Sequence, residues 1–233
     1  MILGKISLDS FNHQLIMSWL KPILTVIFRI SNLWLSVRKQ KTVKRERKNG
    51  MLETQRLILR KWIEEDADSL FEYAKDPEVG PVAGWPPHKS KEESLDVIRN
   101  VFHGAECYAI CEKGKGQAIG AIELKLNGHT DMTNCDDECE LGYWLGKPFW
   151  GRGYMPEAAR EIIRHGFEGL GMNTIWCGYY DGNQKSKRVQ EKVGFIYHHT
   201  CEDVPVPLMN EVRVEHTNVM TKERWLSLKE KKN

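Results

Sequence analysis

The sequence predicts a mixed α/β domain built on a twisted, mostly antiparallel sheet with helices on both faces. Alternating apolar stretches of strand length dominate the chain after residue 50, and amphipathic stretches with capping signals interrupt them at regular intervals. Between residues 140 and 160 an apolar strand, a glycine-rich turn and a helix start follow one another directly.

Length and charge set the outer limits. A chain of 233 residues builds one domain with a substantial core, or a domain of about 180 residues with an extension. The net charge of +2 gives no reason to expect nucleic acid as a partner. It hides an asymmetry, because residues 38–48 carry seven basic side chains against one acidic one. Six cysteines with no cleavable signal ahead of them read as reduced thiols of a cytoplasmic protein. Cys135 and Cys139 are spaced too widely for the usual zinc pair and have no second pair at ligand spacing, so no metal is expected.

Residues 1–50 read as an N-terminal extension. The apolar run from Leu15 to Val37 is interrupted by Lys21, Pro22 and Arg29, which disfavours a membrane span; a central Lys or Arg costs about 3 kcal/mol there. Ile16, Leu20, Ile23, Ile27, Ile30, Trp34 and Val37 recur at helical spacing, so a surface-bound amphipathic helix is one reading. Translated leader ahead of a native start at Met51 is another, because Lys44–Gly50 is encodable almost wholly by purines, as a ribosome-binding site would be.

From Met51 the elements follow in order. Arg56–Trp62 is a strand, and Glu65–Lys75 is a helix ended by Asp76-Pro77. Gly80–Pro87 is a breaker-rich loop in which Trp85 lines a substrate mouth or tucks against the body. Ser90-Lys-Glu-Glu93 is a capping box opening a helix that Gly104 closes. Cys107–Cys111, Gln117–Leu126 and Glu138–Leu145 form an antiparallel run. Pro156–Leu170 is a helix, Thr174–Tyr180 a strand, and Asn183 caps a helix that ends at Gly194. Phe195–His198 and Glu211–Met220 are closing strands, with 201–210 read as a loop. The domain is expected to span 51–228, with 229–233 as a tail.

Gly151 and Gly153 leave amide groups open at a helix N-terminus, an arrangement that binds anions and most often phosphate. Two motifs in sequence order then matter: Glu140-Leu-Gly-Tyr-Trp-Leu leading into Trp150-Gly-Arg-Gly-Tyr154, and Asn183-Gln-Lys-Ser186 with Glu191-Lys-Val-Gly-Phe195. Together they resemble the GNAT acetyltransferases, and most closely the RimJ/RimL-like branch of ribosomal-protein N-terminal acetyltransferases, as does the opening Glu53–Trp62. The likeness covers about residues 51–228 and implies a single GNAT-like domain.

The resemblance implies an N-acetyltransferase that moves the acetyl group of acetyl-CoA to a primary amine, a protein N-terminus or a small molecule, in a ternary complex. The amides of Trp150, Gly151, Arg152, Gly153, Tyr154 and Met155 would hold the pyrophosphate. The strand end at Tyr143, Trp144 and Leu145 would pair with the pantetheine arm, with Asn183 and Ser186 near the thiol. Met155 stands where the family usually has Gly or Ala, so a slightly different local backbone is expected. Glu140 is the candidate general base, with partial burial raising its carboxyl above the ordinary ~4.3. Gln190 stands where many members place the tyrosine that protonates the thiol, which leaves Ser186, Tyr143 or solvent. An amide near Leu145–Gly146 is a candidate for binding the thioester oxygen. The acidic stretches 131–140 and 201–210 suggest a rim suited to a cationic amine. The alternative is a non-catalytic acyl-CoA-binding or interaction module on the same fold. Oligomeric state is left open by the sequence. If the chain starts natively at Met51, mass spectrometry of protein from its natural source yields no peptides from residues 1–50; abundant ones overturn that start.

Overall fold

Alternation of buried and half-exposed residues along Leu57–Arg60, and near-continuous burial along the next two strands, place a sheet at the centre of the fold. The computed structural model describes residues 50–231, so the expectations for an amphipathic or leader segment lie outside the described residues. The described residues form eight strands: β1 Leu52–Glu53, β2 Leu57–Arg60, β3 Cys107–Glu112, β4 Ala118–Lys125, β5 Glu138–Leu145, β6 Thr174–Tyr180, β7 Ile196–Val206 and β8 Glu211–Thr221. They form one sheet in the order β1-β2-β3-β4-β5-β6-β8-β7. Every neighbouring pair is antiparallel except β5 and β6.

Side-chain alternation divides the sheet between two helical layers. On one face, helix α1 (Ala67–Ala74) and helix α2 (Lys91–Asn100) cover the side that carries Trp144 and Gly146. On the other, helix α3 (Tyr154–Arg164) buries Ala158, Ala159, Ile162 and Ile163. It continues as a π-helical turn, His165–Leu170, in which Gly166 sits so close to Leu124 and Ile175 that a β-carbon would lie 3.2 and 3.0 Å from their Cδ1 atoms. Helix α4 (Gln184–Val193) and helix α5 (Lys222–Glu230) complete this layer.

Several boundaries depart from the sequence reading. The predicted helix 156–170 begins two residues earlier, because Gly153 takes a left-handed φ of 76° and starts the helix at Tyr154. The first helix is preceded by a 3-10 turn, Glu64–Asp66. The expected loop 201–210 is largely strand: β7 runs to Val206 and tolerates Pro205 because it is the edge strand, with register shifts and Asp203 at φ 58° absorbing the irregularity. Helix α5 has weak amphipathic patterning and was not foreseen. Thr221 caps it by accepting from the Arg224 amide, and it docks through Trp225, whose ring lies 5.3 Å from that of Phe167.

Phe167 is 2% exposed and joins α3, α5 and the sheet. Phe167→Ala should cost about 3–5 kcal/mol of stability, read as a lower urea midpoint with an unchanged m-value.

Candidate active site

The parallel pairing of β5 with β6 lasts only from Glu138–Thr174 to Glu140–Trp176. Beyond it the two strands diverge, while β5 stays paired with β4 to Leu145 and β6 with β8 to Tyr180. A cleft of about 990 Å³ opens there, lined by both strands, the 150–156 turn, the N-terminal part of α4 and the loop around Trp85.

The register shows which backbone groups face the opening. Gly146 N–H donates to the Ile119 carbonyl at 2.8 Å, so alternation aims the amides and carbonyls of Leu141, Tyr143 and Leu145 away from β4 and toward the gap. Two of these carbonyls are bonded: Leu141 accepts from Cys177 Sγ at 3.2 Å and Leu145 from Trp150 Nε1 at 2.7 Å. The Tyr143 amide and carbonyl and the Leu145 amide therefore form the available strand edge. Of the Leu145–Gly146 region expected to supply an oxyanion donor, the Gly146 amide is committed to the sheet and the Leu145 amide is left.

At the wide end, Gly151 and Gly153 adopt φ of 74° and 76° and lead into α3. A β-carbon on Gly151 would meet nothing within 4 Å, so the loop surface is open. No backbone carbonyl among the described residues accepts from the Gly151, Arg152 or Gly153 amides. First-turn amides of a helix are also unsatisfied within the helix, so the donor set suits a pyrophosphate. A clamp not anticipated from sequence fixes this turn. Arg56 Nη1 donates to the Arg152 carbonyl at 3.0 Å, its Nε donates to Glu157 at 2.7 Å, and its guanidinium lies 4.5 Å from the Tyr154 ring centre. Tyr154 donates to Glu112 at 2.6 Å. The Arg152 guanidinium lies 5.5 Å from the Phe149 ring centre. Met155 is 6% exposed and carries its side chain into the core while the helix still forms, so it does not block the turn.

The α4 side is less free than expected. Asn183 caps the helix by accepting from the Ser186 amide at 3.1 Å, and its Nδ2 donates to the Val82 carbonyl, tying down the Pro81–Ala83 turn. Lys185 Nζ lies 3.6 Å from the Trp150 ring centre. Ser186 Oγ is 2.9 Å from the Tyr143 hydroxyl, and burial holds that phenol well above its ordinary value. Gln190 is fully buried: Nε2 donates to the Gly178 carbonyl and to Ser186 Oγ, while Oε1 accepts from Asn218. It braces the cleft wall rather than opening into it.

Near the apex, Glu140 is bonded at both oxygens, to Lys125 Nζ at 2.8 Å and to the Thr130 hydroxyl at 2.6 Å. Glu123, Asp131 and Glu215 join Glu140 in a group of four carboxylates that interact with the Lys125 ammonium, and neither Glu123 nor Glu215 stands out in the sequence. Burial raises Glu123, and burial with the nearby Glu140 and Asp131 pushes Glu215 up to about 7, Lys125 opposing. For Lys125 burial acts to lower the ammonium, but the surrounding carboxylates outweigh it and the net shift is upward. Only the strand pairing could have exposed this group, because Glu215 reaches the cleft through its register opposite Tyr180. Toward the α1–α2 face the cavity turns apolar, with Trp85, Val97, Val101 and Phe102. Trp85 both lines the opening and packs edge-on to Trp144, 5.8 Å away; the buried Trp144 Nε1 has no hydrogen-bond partner among the described residues. The Cys107 and Cys177 thiols are poor nucleophiles: burial pushes Cys107 up to about 12 and Cys177 well above its ordinary range.

The chain matches the acetyltransferase (GNAT) domain over residues 56–196 and belongs to that family. It is an acetyl-CoA-dependent acyltransferase. It is 32% identical over 149 residues to the uncharacterized N-acetyltransferase p20 of Bacillus licheniformis, covering 62% of this chain and 81% of that one. It is 33% identical over 95 residues to the FsC-acetyl coenzyme A-N(2)-transacetylase of Aspergillus fumigatus, covering 40% of each. A GNAT-family acetyltransferase structure from Bacillus anthracis superposes with a TM-score of 0.64 at 21% identity, covering 74% of this chain and 99% of that one.

Glu215 also gives a stability signature. A carboxyl raised in the folded state stabilises most below its unfolded value, and that contribution is lost as pH rises from about 4.5 through about 7. Glu215→Gln should therefore raise the melting temperature relative to the parent at pH 8, with the difference shrinking toward pH 4.5 in a thermal-shift series.

Proposed function

We propose that this chain transfers the acetyl group of acetyl-CoA to a primary amine, a protein N-terminus or a small-molecule amine, by direct attack in a ternary complex. The observation that carries this reading is the divergence of β5 from β6 above Glu140, which leaves a strand edge beside an open glycine turn. On this reading the turn amides and Arg152 hold the pyrophosphate, and the Tyr143 and Leu145 edge pairs with the amides of the pantetheine arm. Of the Leu145–Gly146 region expected to bind the thioester oxygen, the Leu145 amide keeps that role, with the Tyr143 amide beside it. The Tyr143–Ser186 hydroxyl pair supplies the proton that the departing thiolate needs, and burial suits it by keeping the phenol protonated. Asn183 acts through the loop it anchors and through Ser186.

The acceptor side combines an apolar wall with carboxylates outnumbering Lys125, which favours an amine arriving as a cation on an apolar body. The sequence motifs support placement in the RimJ/RimL-like branch. A cytoplasmic location is part of the same proposal; no helix among the described residues is long and apolar enough to cross a membrane.

Gly151 offers the cleanest test. Alanine there has open space and costs only about 1–2 kcal/mol for the left-handed backbone, yet places a methyl group on the anion-binding surface. Gly151→Ala should weaken acetyl-CoA binding at least tenfold by calorimetry, with a small loss in melting temperature. Parental affinity in the folded variant would remove this turn from the site.

A further inference from the structure

We propose that Glu215 on β8, rather than Glu140, is the general base of the acetyl transfer. The inference rests on the acetyl-transfer reading above and names the group that takes the acceptor's proton.

The two carboxylates share the cleft but not its constraints. Both Glu140 oxygens are held, by Lys125 and by Thr130, so protonating Glu140 would break an ion pair. Glu215 makes no hydrogen bond or ion pair among the described residues, although it is half-buried and lines the same cavity. Its route to the cleft is structural. Glu215 stands opposite Tyr180 in the β6–β8 ladder, and its carboxylate lies against Gly178, where any β-carbon would collide with Glu215 Oε1 and the Met132 methyl. The glycine thus gives the carboxylate its place over β6, toward the strand divergence. Gly178 is itself held by Gln190 through its carbonyl.

The charged and titratable groups around Glu215 come from every neighbouring element: Lys125 on β4, Glu140 on β5, Cys177 and Tyr180 on β6, Cys201 opposite it on β7, and Asp131 in the β4–β5 connection. Arg213 on the same strand is engaged by Glu211 and the Pro81 carbonyl. Burial, followed by Glu140 and Asp131, outweighs Lys125 and brings the carboxyl to about 7, so it exchanges a proton readily near neutrality.

The step balances. An acceptor ammonium gives one proton to the Glu215 carboxylate, and the freed nitrogen pair forms the N–C bond at the thioester carbonyl. The C–S bond breaks with its electron pair on sulfur. Sulfur takes up one proton from the Tyr143–Ser186 hydroxyl pair, the second nitrogen proton replaces it there, and Glu215 returns the first to water. The products are an amide, a free thiol and one released proton.

The test uses the full chain with acetyl-CoA and three probes, 2-phenylethylamine, spermidine and an alanine-initiated hexapeptide, following thiol release. Glu215→Gln should lower kcat about 100-fold or more while leaving acetyl-CoA affinity unchanged. In the parent, the rate should fall about tenfold per pH unit below about 7. That acid limb should vanish in Glu215→Gln, persist in Glu140→Gln and partly return in Glu215→Asp. A folded Glu215→Gln protein with parental kcat and an intact acid limb overturns the proposal. Should none of the probes be accepted, carboxyl ¹³C NMR of glutamate-labelled protein decides. A carboxyl titrating near 7 that disappears only in Glu215→Gln supports the assignment, and its absence from the parent overturns it. Failure of the parent to bind acetyl-CoA at all would show separately in calorimetry and would remove the acetyl-transfer reading together with this one.

Discussion

The structure depends on one interrupted ladder. Two parallel strands share three paired positions and then separate, although backbone polar groups in a protein interior are almost always paired. Such an opening persists only if the surroundings hold its walls apart and satisfy part of its edge. Cys177 and Trp150 each occupy a carbonyl of β5, and the long pairings of β5 with β4 and of β6 with β8 hold each wall flat. What is left over is a short run of donors and acceptors with the spacing of a strand, which suits a ligand that has amides of its own.

The wall formed by α4 shows how a polar core supports this opening. Gln190 joins Gly178 on β6, Asn218 on β8 and Ser186 on its own helix. Every polar atom of that side chain is used, so its burial is compensated and the network has a defined geometry. At the other end, Arg56 and Glu157 perform a comparable task for the glycine turn, linking the residue that leads into β2 to the helix that carries the anion site. Thr54 adds a 2.6 Å bond to the same carboxylate. The two ends of the cleft are therefore fixed by unrelated networks.

Local chemistry was legible in the sequence and register was not. Gly151, Gly153 and the Asn183 cap announced themselves because glycine and capping residues act within a few positions of themselves. The strand–turn–helix order around them was equally clear. Glu215 gave no such signal: in Val-Arg-Val-Glu-His it looks like one more polar residue on an alternating strand. Only pairing across β6, and the absence of a side chain at Gly178, gives it access to the cleft. Glu140 was visible, but its partners Lys125 and Thr130 lie in other segments, so its commitment to an ion pair could not be read locally. Edge position likewise decided the fate of 201–210, which has little apolar pattern and reads as a loop, because a sheet margin accepts Pro205.

The carboxylates around Lys125 bear on turnover as well as on capture. In the proposed reaction the acceptor enters as a cation and leaves as a neutral amide. Glu123, Asp131, Glu140 and Glu215, set against the Lys125 ammonium, attract the first and have no comparable hold on the second. Acylation thus erases the feature by which the acceptor is held, and the chemical step itself drives product out of the cleft.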